Sequence, residues 1–214
     1  MKTVFLDLDG TLTDAGPGIL NSVSYALEKV GFAPFEGDGS WMVGPPLWDS
    51  FRTLGVPESR LDEAIKHYRV RYADIGWLEN SLYHGILQQL SCLKSQGYQL
   101  CIATSTHIIY ARKITKHFGI TKFVDYEFGS KSDGRLADKT SLINYAMTQC
   151  NANAENSVMV GDRHFDIIGA RNNGLRSVGV TYGYGGYQEL EEAVATKIIS
   201  EPTDISNAVS ILLR

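Results

Sequence analysis

Two carboxylates separated by a single residue, Asp7 and Asp9, stand near the amino terminus of this 214-residue chain. They follow the apolar run Val4-Phe5-Leu6, which is typical of a central parallel strand that is covered on both faces. If the extended conformation continues, both side chains point the same way, and their mutual repulsion must be offset. A divalent cation with oxygen ligands is the simplest agent for this, so the pair predicts a metal-supported acidic site.

Two other interpretations of the acidic pair compete with this one. A calcium-binding loop also spaces its acids by two, but Thr11 and Leu12 stand where that loop needs Asp or Asn and then Gly. A chance Asp-x-Asp that merely caps a turn is common at strand ends. The rest of the chain has to decide between these interpretations.

Further polar residues stand where predicted apolar strands end or where the next helix begins. In an open parallel sheet, ligands bind at the carboxyl ends of the strands, near the point where strand order reverses. We therefore expect these side chains to lie close to the first acidic pair. They are Thr104 and Ser105 after the strand 100–103, Lys139 at a helix start, and Asp162 and Asp166 after the strand 157–160.

In residue type, order and spacing, these positions resemble the four motifs of the haloacid dehalogenase-like (HAD) hydrolase superfamily in its phosphatase form. The stretch Asp7-Leu8-Asp9-Gly10-Thr11 is similar to the first motif, and the strand-end hydroxyls, Lys139 and Gly161-Asp162 are similar to the other three. The resemblance covers the whole core. It implies an α/β fold with a doubly wound parallel sheet, a Rossmann-like core.

The resemblance also implies the roles of the residues. Asp7 is expected to be a nucleophile that forms an aspartyl phosphate, and Asp9 a general acid and base, which implies phosphatase rather than dehalogenase chemistry. Magnesium is the expected cofactor, held by Asp7, Asp162 and the backbone carbonyl of Asp9. Asp166 is expected to support these groups. The expected phosphate-binding residues are Thr104, Ser105, Lys139, Gly10 and Thr11.

The chain is expected to contain two domains. Residues 1–13 and 84–214 alternate helix and strand as a catalytic core does, whereas residues 14–83 show no strand-like runs and accumulate aromatic residues, which predicts a small inserted α-helical cap. In the resembling family a Gly-Pro loop of the cap faces the active site and helps to select the substrate. A plain interhelix turn with its aromatic residues packed inward is the alternative. The candidate specificity residues are Trp41, Gly44, Pro45, Trp48 and Arg52.

The cap resembles that of the phosphoglycolate phosphatase-like group, which includes hydrolases of acid phosphates, nucleotides and pyrophosphate. Phosphoglycolate carries a carboxylate that would favour a cation such as Arg52, whereas a nucleoside monophosphate would favour the flat faces of Trp41 or Trp48. A phosphoglycolate phosphatase-like enzyme is therefore the first expectation. A 5'-nucleotidase or pyrophosphatase, a sugar-phosphate mutase and a non-catalytic phosphometabolite-binding protein follow as alternatives.

Composition and charge limit the kinds of binding partner that we expect for this protein. A formal net charge of −4 and a pI near 5.7, without a run of Lys and Arg, argue against a nucleic-acid partner. No apolar stretch is long enough to cross a bilayer, and Met1-Lys2-Thr3 leads into the first strand without a signal-peptide layout, so we expect a cytoplasmic monomer or homodimer. The three widely spaced cysteines predict small buried side chains rather than disulfides.

Arg163 and His164 stand inside the fourth motif, where the family has small polar residues. Because Arg and His at a helix start are usually solvated, we expect both to be exposed loop residues. His107, which follows the strand-end hydroxyls, is expected to be a solvated residue at a helix start, with substrate contact as the alternative.

Overall fold

The computed structural model describes residues 1–131 and 133–214, so residue 132 of the predicted core segment lies outside the described residues. The chain divides into two compact units, Met1–Thr13 with Leu82–Arg214, and Asp14–Ser81. The predicted limits were 1–13 with 84–214, and 14–83. The roles given to these units, catalytic core and specificity cap, stay predictions.

Strands make up the centre of the first unit. In the described part of the chain they are β1 Thr3–Leu6, β2 Thr13–Asp14, β3 Ser81–Leu82, β4 Gln99–His107, β5 Tyr126–Ser130, β6 Ser157–Gly161, β7 Arg176–Val180 and β8 Lys197–Ile199. Six of them form a parallel sheet in the order β5-β4-β1-β6-β7-β8, while β2 pairs with β3. The chain builds the sheet outward from β1 in one direction and then in the other, so strand order reverses between β1 and β6.

Helices connect these strands and also form the second unit. Within the described residues they are α1 Gly16–Lys29, α2 Leu47–Thr53, α3 Glu58–Asp74, α4 Ile86–Ser95, α5 Ile108–His117, α6 Lys139–Gln149, α7 His164–Asn172, α8 Gly186–Glu192 and α9 Ile205–Leu212. Of these, α1 to α3 belong to the second unit and the others to the first. None of them combines the length and the apolar character that crossing a membrane would need.

The central strand is buried on both faces. Val4, Phe5 and Leu6 are fully inaccessible to solvent. Phe5 packs in a cluster with Leu142 of α6 and Ala170 of α7, and since successive side chains of a strand alternate, Val4 and Leu6 lie against the opposite face. A parallel sheet covered on both faces requires such continuous apolar strands. The predicted doubly wound α/β fold is confirmed.

The second unit is helical in its described residues, apart from the strand residues at its two ends. Helix α1 packs against α3, and α2 packs against α3. The buried side chains of α3 include Leu61, Ile65 and Tyr68, which recur at helical spacing and explain why this segment folds as an amphipathic helix. In the first unit, Cys101 and Cys150 are buried as predicted, whereas Cys92 is only half-buried.

Candidate active site

Asp7 directly follows β1 at its carboxyl end. Its backbone is still fixed to the sheet, because its amide donates to the carbonyl of Val160 at 2.9 Å. The residue is only 7% exposed. Its Oδ1 accepts a hydrogen bond from the Leu8 amide at 2.8 Å and lies 2.7 Å from Nζ of Lys139. One carboxylate oxygen is therefore fixed by two partners, which orients the other.

Lys139 is the first residue of α6, whose amino terminus is capped by the side chain of Asp138. Its Nζ lies 2.7 Å from Oδ1 of both Asp7 and Asp166, and it donates to the carbonyl of Ala103 at 2.9 Å. Burial alone would lower the pKa of Lys139, but the charges of Asp166 and Asp7 outweigh it and raise the pKa. The side chain is thus a buried ammonium between two carboxylates.

Asp162 directly follows β6 and is completely buried. Its Oδ1 accepts from the hydroxyl of Thr11 at 3.2 Å, and its Oδ2 accepts from the amide of Tyr184 at 2.9 Å. Gly10, at φ 85°, makes this approach feasible, because a Cβ there would lie 2.2 Å from Oδ2 of Asp162. The turn after β1 and the turn after β6 therefore meet, as the reversal of strand order predicts.

The predicted phosphate contacts of Gly10 and Thr11 need a correction. The amide of Gly10 donates to the carbonyl of Thr13 at 2.7 Å, and the amide of Thr11 donates to the carbonyl of Leu8 at 3.3 Å. Because both amides are engaged inside the turn, and the hydroxyl of Thr11 is engaged with Asp162, these two residues shape the site rather than supply donors to a phosphate.

Asp9 lies in the same turn and is 9% exposed. Its Oδ2 accepts from the hydroxyl of Thr106, whereas its Oδ1 is buried without a partner among the described residues. Burial is the largest cause that raises the pKa of Asp9 to about 6, and the charge of Asp7 adds to it, while the hydrogen bond from Thr106 and the charge of Lys139 lower the pKa without outweighing burial. A carboxyl group in this state exchanges protons near neutral pH, as a general acid and base must.

The three hydroxyl side chains near the end of β4, those of Thr104, Ser105 and Thr106, have different hydrogen-bond partners. The strand continues to His107, so Thr104 and Ser105 lie within it rather than after it. Oγ1 of Thr104 is buried and accepts from the amide of Thr106 at 3.2 Å, while the hydroxyl of Ser105 donates to the carbonyl of Ala137 at 3.0 Å. Thr106, which was not among the predicted site residues, is the one that bonds a carboxylate. Phosphate binding by Thr104 and Ser105 stays a prediction.

Three buried carboxylates could hold a metal ion. Asp7, Asp162 and Asp166 each offer one oxygen, and these atoms all lie within 4.8 Å of one another. Burial, together with the charges of Asp166 and Asp7, raises the pKa of Asp162 well above its usual value. Among the described residues, Asp7, Asp162 and Asp166 outnumber Lys139, the ammonium that contacts two of them, and their side-chain donor atoms are all oxygens, so these residues fit a hard divalent cation such as Mg²⁺.

Both carboxylate oxygens of Asp166 are engaged, as those of Asp162 are, but the partners of Asp166 lie at the starts of α6 and α7. Oδ1 lies 2.7 Å from Nζ of Lys139, and Oδ2 accepts from the amide of Arg163 at 3.1 Å. Burial raises the pKa of Asp166, while Lys139 lowers it by less. The carboxylate therefore holds Lys139 and the start of α7 in place, while its role in supporting the metal ligands stays a prediction.

The prediction for Arg163 is wrong. This residue is only 8% exposed, and its Nε donates to Oε1 of Glu189 at 2.9 Å. His164, also predicted to be exposed, is half-buried and lies against the same oxygen, with 2.7 Å between Nδ1 and Oε1. Both residues are held by a carboxylate that lies 25 or more positions further along the chain, and the local sequence gives no signal of it.

His107 ends β4 and precedes α5, where it caps the helix. Its Nδ1 accepts from the amide of Ile109 at 3.3 Å, and its side chain is half-buried. The ring therefore has a structural role at the helix start, as the position predicts, but it is less solvated than expected.

The sequence model of the family described as haloacid dehalogenase-like hydrolase matches residues 4–180. This chain belongs to that family. The match includes every predicted core site residue, from Asp7 to Asp166. The predicted HAD hydrolase is thus confirmed.

Relatives and solved structures of this HAD hydrolase cover most of its length. A 5'-nucleotidase of Pseudomonas aeruginosa is 39% identical over 189 residues, which are 87% of this chain and 86% of that protein. Tyrosine-protein kinase PtkA of Mycobacterium tuberculosis is 38% identical over 203 residues, 94% of this chain and 69% of the kinase. The crystal structure of a predicted phosphatase from Clostridium acetobutylicum superposes with a TM-score of 0.91 at 39% identity, covering 98% of each chain.

The second unit of this HAD hydrolase contains the predicted specificity residues. Nε of Arg52 lies 2.6 Å from Oε1 of Glu58, and its Nη1 lies 2.9 Å from Oδ1 of Asp49. Arg52 was predicted as a cation for the carboxylate of a substrate, but its guanidinium is already paired with two carboxylates. This arrangement argues against that prediction.

The aromatic and loop candidates of the same unit have different surroundings. Trp41 lies in a short 3₁₀ turn and packs edge-on against Phe35, with 6.4 Å between ring centroids. Trp48 is more exposed, and the guanidinium of Arg69 lies 5.5 Å from its ring centroid. Gly44 precedes α2 at φ 111°, which favours glycine. The selection of substrate by these residues, and by the half-buried Pro45, stays a prediction.

Proposed function

We propose that the protein is a Mg²⁺-dependent phosphatase, a phosphoric monoester hydrolase that acts on a small phosphorylated metabolite through an aspartyl phosphate on Asp7. One observation carries this proposal. A carboxylate held at one oxygen by Lys139 lies in the same buried turn as a second carboxyl, Asp9, whose pKa is raised to about 6. Nucleophilic attack needs a carboxylate, and proton transfer needs a nearby carboxyl group whose pKa lies close to neutral pH.

Binding of the substrate depends on charge. A phosphate monoester is an anion that repels nucleophiles, so its oxygens must be neutralised before attack. Lys139 supplies one positive charge beside Asp7. A magnesium ion held by Asp7, Asp162 and the backbone carbonyl of Asp9 would supply the remaining charge. Family membership supports this cofactor, and so does the group of buried carboxylates.

The reaction then has two steps. The free carboxylate oxygen of Asp7 attacks phosphorus, the bond to the ester oxygen breaks, and the protonated carboxyl of Asp9 gives its proton to that leaving oxygen. Asp9, now a carboxylate, takes a proton from the water that attacks phosphorus, and the bond between phosphorus and the Asp7 oxygen breaks. Inorganic phosphate leaves, and Asp7 and Asp9 return to their first states. Thr106 keeps Asp9 directed into the site.

The decisive experiment measures phosphate release. We expect the wild-type protein to release inorganic phosphate from an aryl phosphate, EDTA to stop the release, and added Mg²⁺ to restore it. Asp7→Asn should lower kcat by about 10⁴-fold or more, because it removes the nucleophile. If the wild-type protein releases phosphate from none of a broad panel of phosphomonoesters, the chain is a binding protein rather than an enzyme.

The same panel of phosphorylated compounds identifies the class of substrate. It should include nucleoside 5'-monophosphates, phosphoglycolate, pyrophosphate and sugar phosphates. Likeness to the P. aeruginosa 5'-nucleotidase supports the nucleotides as the first class to test, and the paired state of Arg52 makes a carboxylated substrate less favoured. An isomerised sugar phosphate instead of free phosphate would indicate a mutase.

Protein phosphorylation is the second candidate function, and the likeness to PtkA favours it. Both functions transfer a phosphoryl group, but they differ in donor and acceptor. With γ-labelled ATP and a tyrosine-containing peptide, a kinase places the label on tyrosine, whereas a phosphatase leaves it in inorganic phosphate or in unreacted ATP. We expect no labelled tyrosine.

A further inference from the structure

A single oxygen of Glu189 accepts hydrogen bonds from both residues that follow Asp162. Oε1 lies 2.9 Å from Nε of Arg163, 2.8 Å from the amide nitrogen of His164 and 2.7 Å from Nδ1 of His164. Arg163 and His164 connect Asp162 to α7. Glu189 itself lies in the first turn of α8, beyond the next strand of the sheet. A distant helix thus fixes the backbone directly after Asp162.

The charge of Glu189 follows from these contacts. Burial alone would raise its pKa, but the hydrogen bonds from Arg163 and His164 outweigh burial and lower the pKa. Glu189 is therefore a carboxylate and can only accept, so Nδ1 of His164 must carry the proton and donate it. Charge-assisted hydrogen bonds of this kind are stronger than neutral ones.

The residues that lead into α8 also contact Asp162 itself. The amide of Tyr184 donates to Oδ2 of Asp162 at 2.9 Å. Gly185 packs so closely that a Cβ at its position would lie 2.2 Å from the carbonyl oxygen of Asp162. The segment from Tyr184 to Glu189 therefore holds Asp162 at its carboxylate, at its carbonyl and at the two residues that follow it.

We propose that Glu189 is a positioning residue that keeps Asp162 in place for binding Mg²⁺. The inference rests on the proposed function, because it takes Asp162 as a ligand of the metal. Partners beyond the ligands orient them, and their removal typically weakens metal binding by about 10–100-fold. Glu189 acts on the ligand through the two residues that follow Asp162 rather than by contact with substrate.

The test measures Mg²⁺ binding to the substrate-free protein by isothermal titration calorimetry. Glu189→Ala leaves three donors without their acceptor, and we expect its Kd for Mg²⁺ to rise by about 10–100-fold. Glu189→Gln keeps the size of the side chain and an accepting oxygen, so its Kd should rise less. Glu191→Ala is the matched control, since Glu191 is an exposed acid of the same helix that accepts from the hydroxyl of Tyr187. Its Kd should equal that of the wild type.

Activity against Mg²⁺ concentration gives a second readout. If Glu189 positions the metal ligand, excess Mg²⁺ should return kcat of Glu189→Gln towards the wild-type value. Circular dichroism and thermal unfolding without Mg²⁺ establish whether each variant is folded. If Glu189→Ala is not folded, the test uses Glu189→Gln alone. A kcat that stays low at every Mg²⁺ concentration, with an unchanged Kd, would overturn the positioning role.

The inference and the proposed function fail in different ways. If the wild-type protein neither binds Mg²⁺ nor releases phosphate, the proposed function is wrong, and the positioning role is wrong with it. If the wild-type protein does both, and both Glu189 variants match it in Kd, only the positioning role is wrong.

Discussion

Two groups of ion pairs, one in each unit of the chain, show how burial changes what a charged side chain does. In the first unit, Lys139 is buried between Asp7 and Asp166, so each charge depends on its partners. In the second unit, Arg52 and Glu58 pair at the surface, with 45% and 73% of their side chains exposed. Water screens such surface pairs, which contribute little, whereas a buried charge that loses its partner is strongly unfavourable. Paired acidic and basic side chains thus indicate a functional site only where they are buried, because burial makes each charge depend on its partner.

Removal of the buried ammonium should have the largest effect on stability. Lys139→Met keeps most of the volume of the side chain but leaves Asp7 and Asp166 without their cation, so we expect the free energy of unfolding to fall by about 3–5 kcal/mol. Urea unfolding of the variant and the wild type, both in EDTA, measures this difference. A loss below about 1 kcal/mol, the size that surface pairs contribute, would mean that the buried ion pairs of Lys139 stabilise the fold no more than the surface pairs of Arg52 do.

An intermediate effect is expected at Asp9. Thr106→Val removes the hydroxyl that directs this carboxyl while keeping the shape of the side chain. Because general acid–base catalysis typically contributes about 10²–10⁴-fold, we expect a partial loss of about tenfold or more in kcat, with Mg²⁺ binding unchanged. Steady-state kinetics of phosphate release measures it.

The matched control for this prediction lies next to Thr106. Ser105→Ala removes a hydroxyl that donates to the carbonyl of Ala137 rather than to a carboxylate. It should lower kcat less than Thr106→Val does. The reverse order would mean that Ser105 binds the phosphate and that Thr106 only fills space.

The smallest effect is expected in the second unit. Arg52→Gln removes two ion pairs that are open to solvent, and water can replace them, so we expect no measurable shift of the thermal midpoint. The KM for phosphoglycolate should also stay unchanged, because the guanidinium is already paired. A KM that rises for carboxylated substrates alone would show that Arg52 contacts the substrate after all.

The core of the fold, and the meeting of Asp7, Lys139, Asp162 and Asp166 at one rim, were readable from the sequence because burial leaves a pattern. The apolar runs before Asp7 and Asp162 could only be covered parallel strands, and their order along the chain required both ends to share one rim. The segments Gly186–Glu192 and Lys197–Ile199 were missed. The first follows a glycine-rich stretch typical of a loop, and the second is too short to show alternation.

The contacts of Arg163 and Thr106 were not predicted for a different reason. Arg163 is buried with its guanidinium paired to Glu189, 26 positions further on, and a pairing of that kind is set by the packing of α7 and α8. Thr106 was visible as part of a hydroxyl run, but the register of β4 changes between Thr104 and His107. Simple alternation along the strand therefore could not tell which hydroxyl reaches Asp9.

The hydrogen bond between Thr11 and Asp162 joins residues that are 151 positions apart. During synthesis, the acidic turn leaves the ribosome long before β6 exists to pair with β1, and until then its carboxylates remain hydrated. Closure of contacts so distant in sequence is slow, and it must remove water from several acids at once. A nascent or truncated chain that ends before residue 162 therefore carries Asp7 but lacks Asp162, and we expect it to release no phosphate.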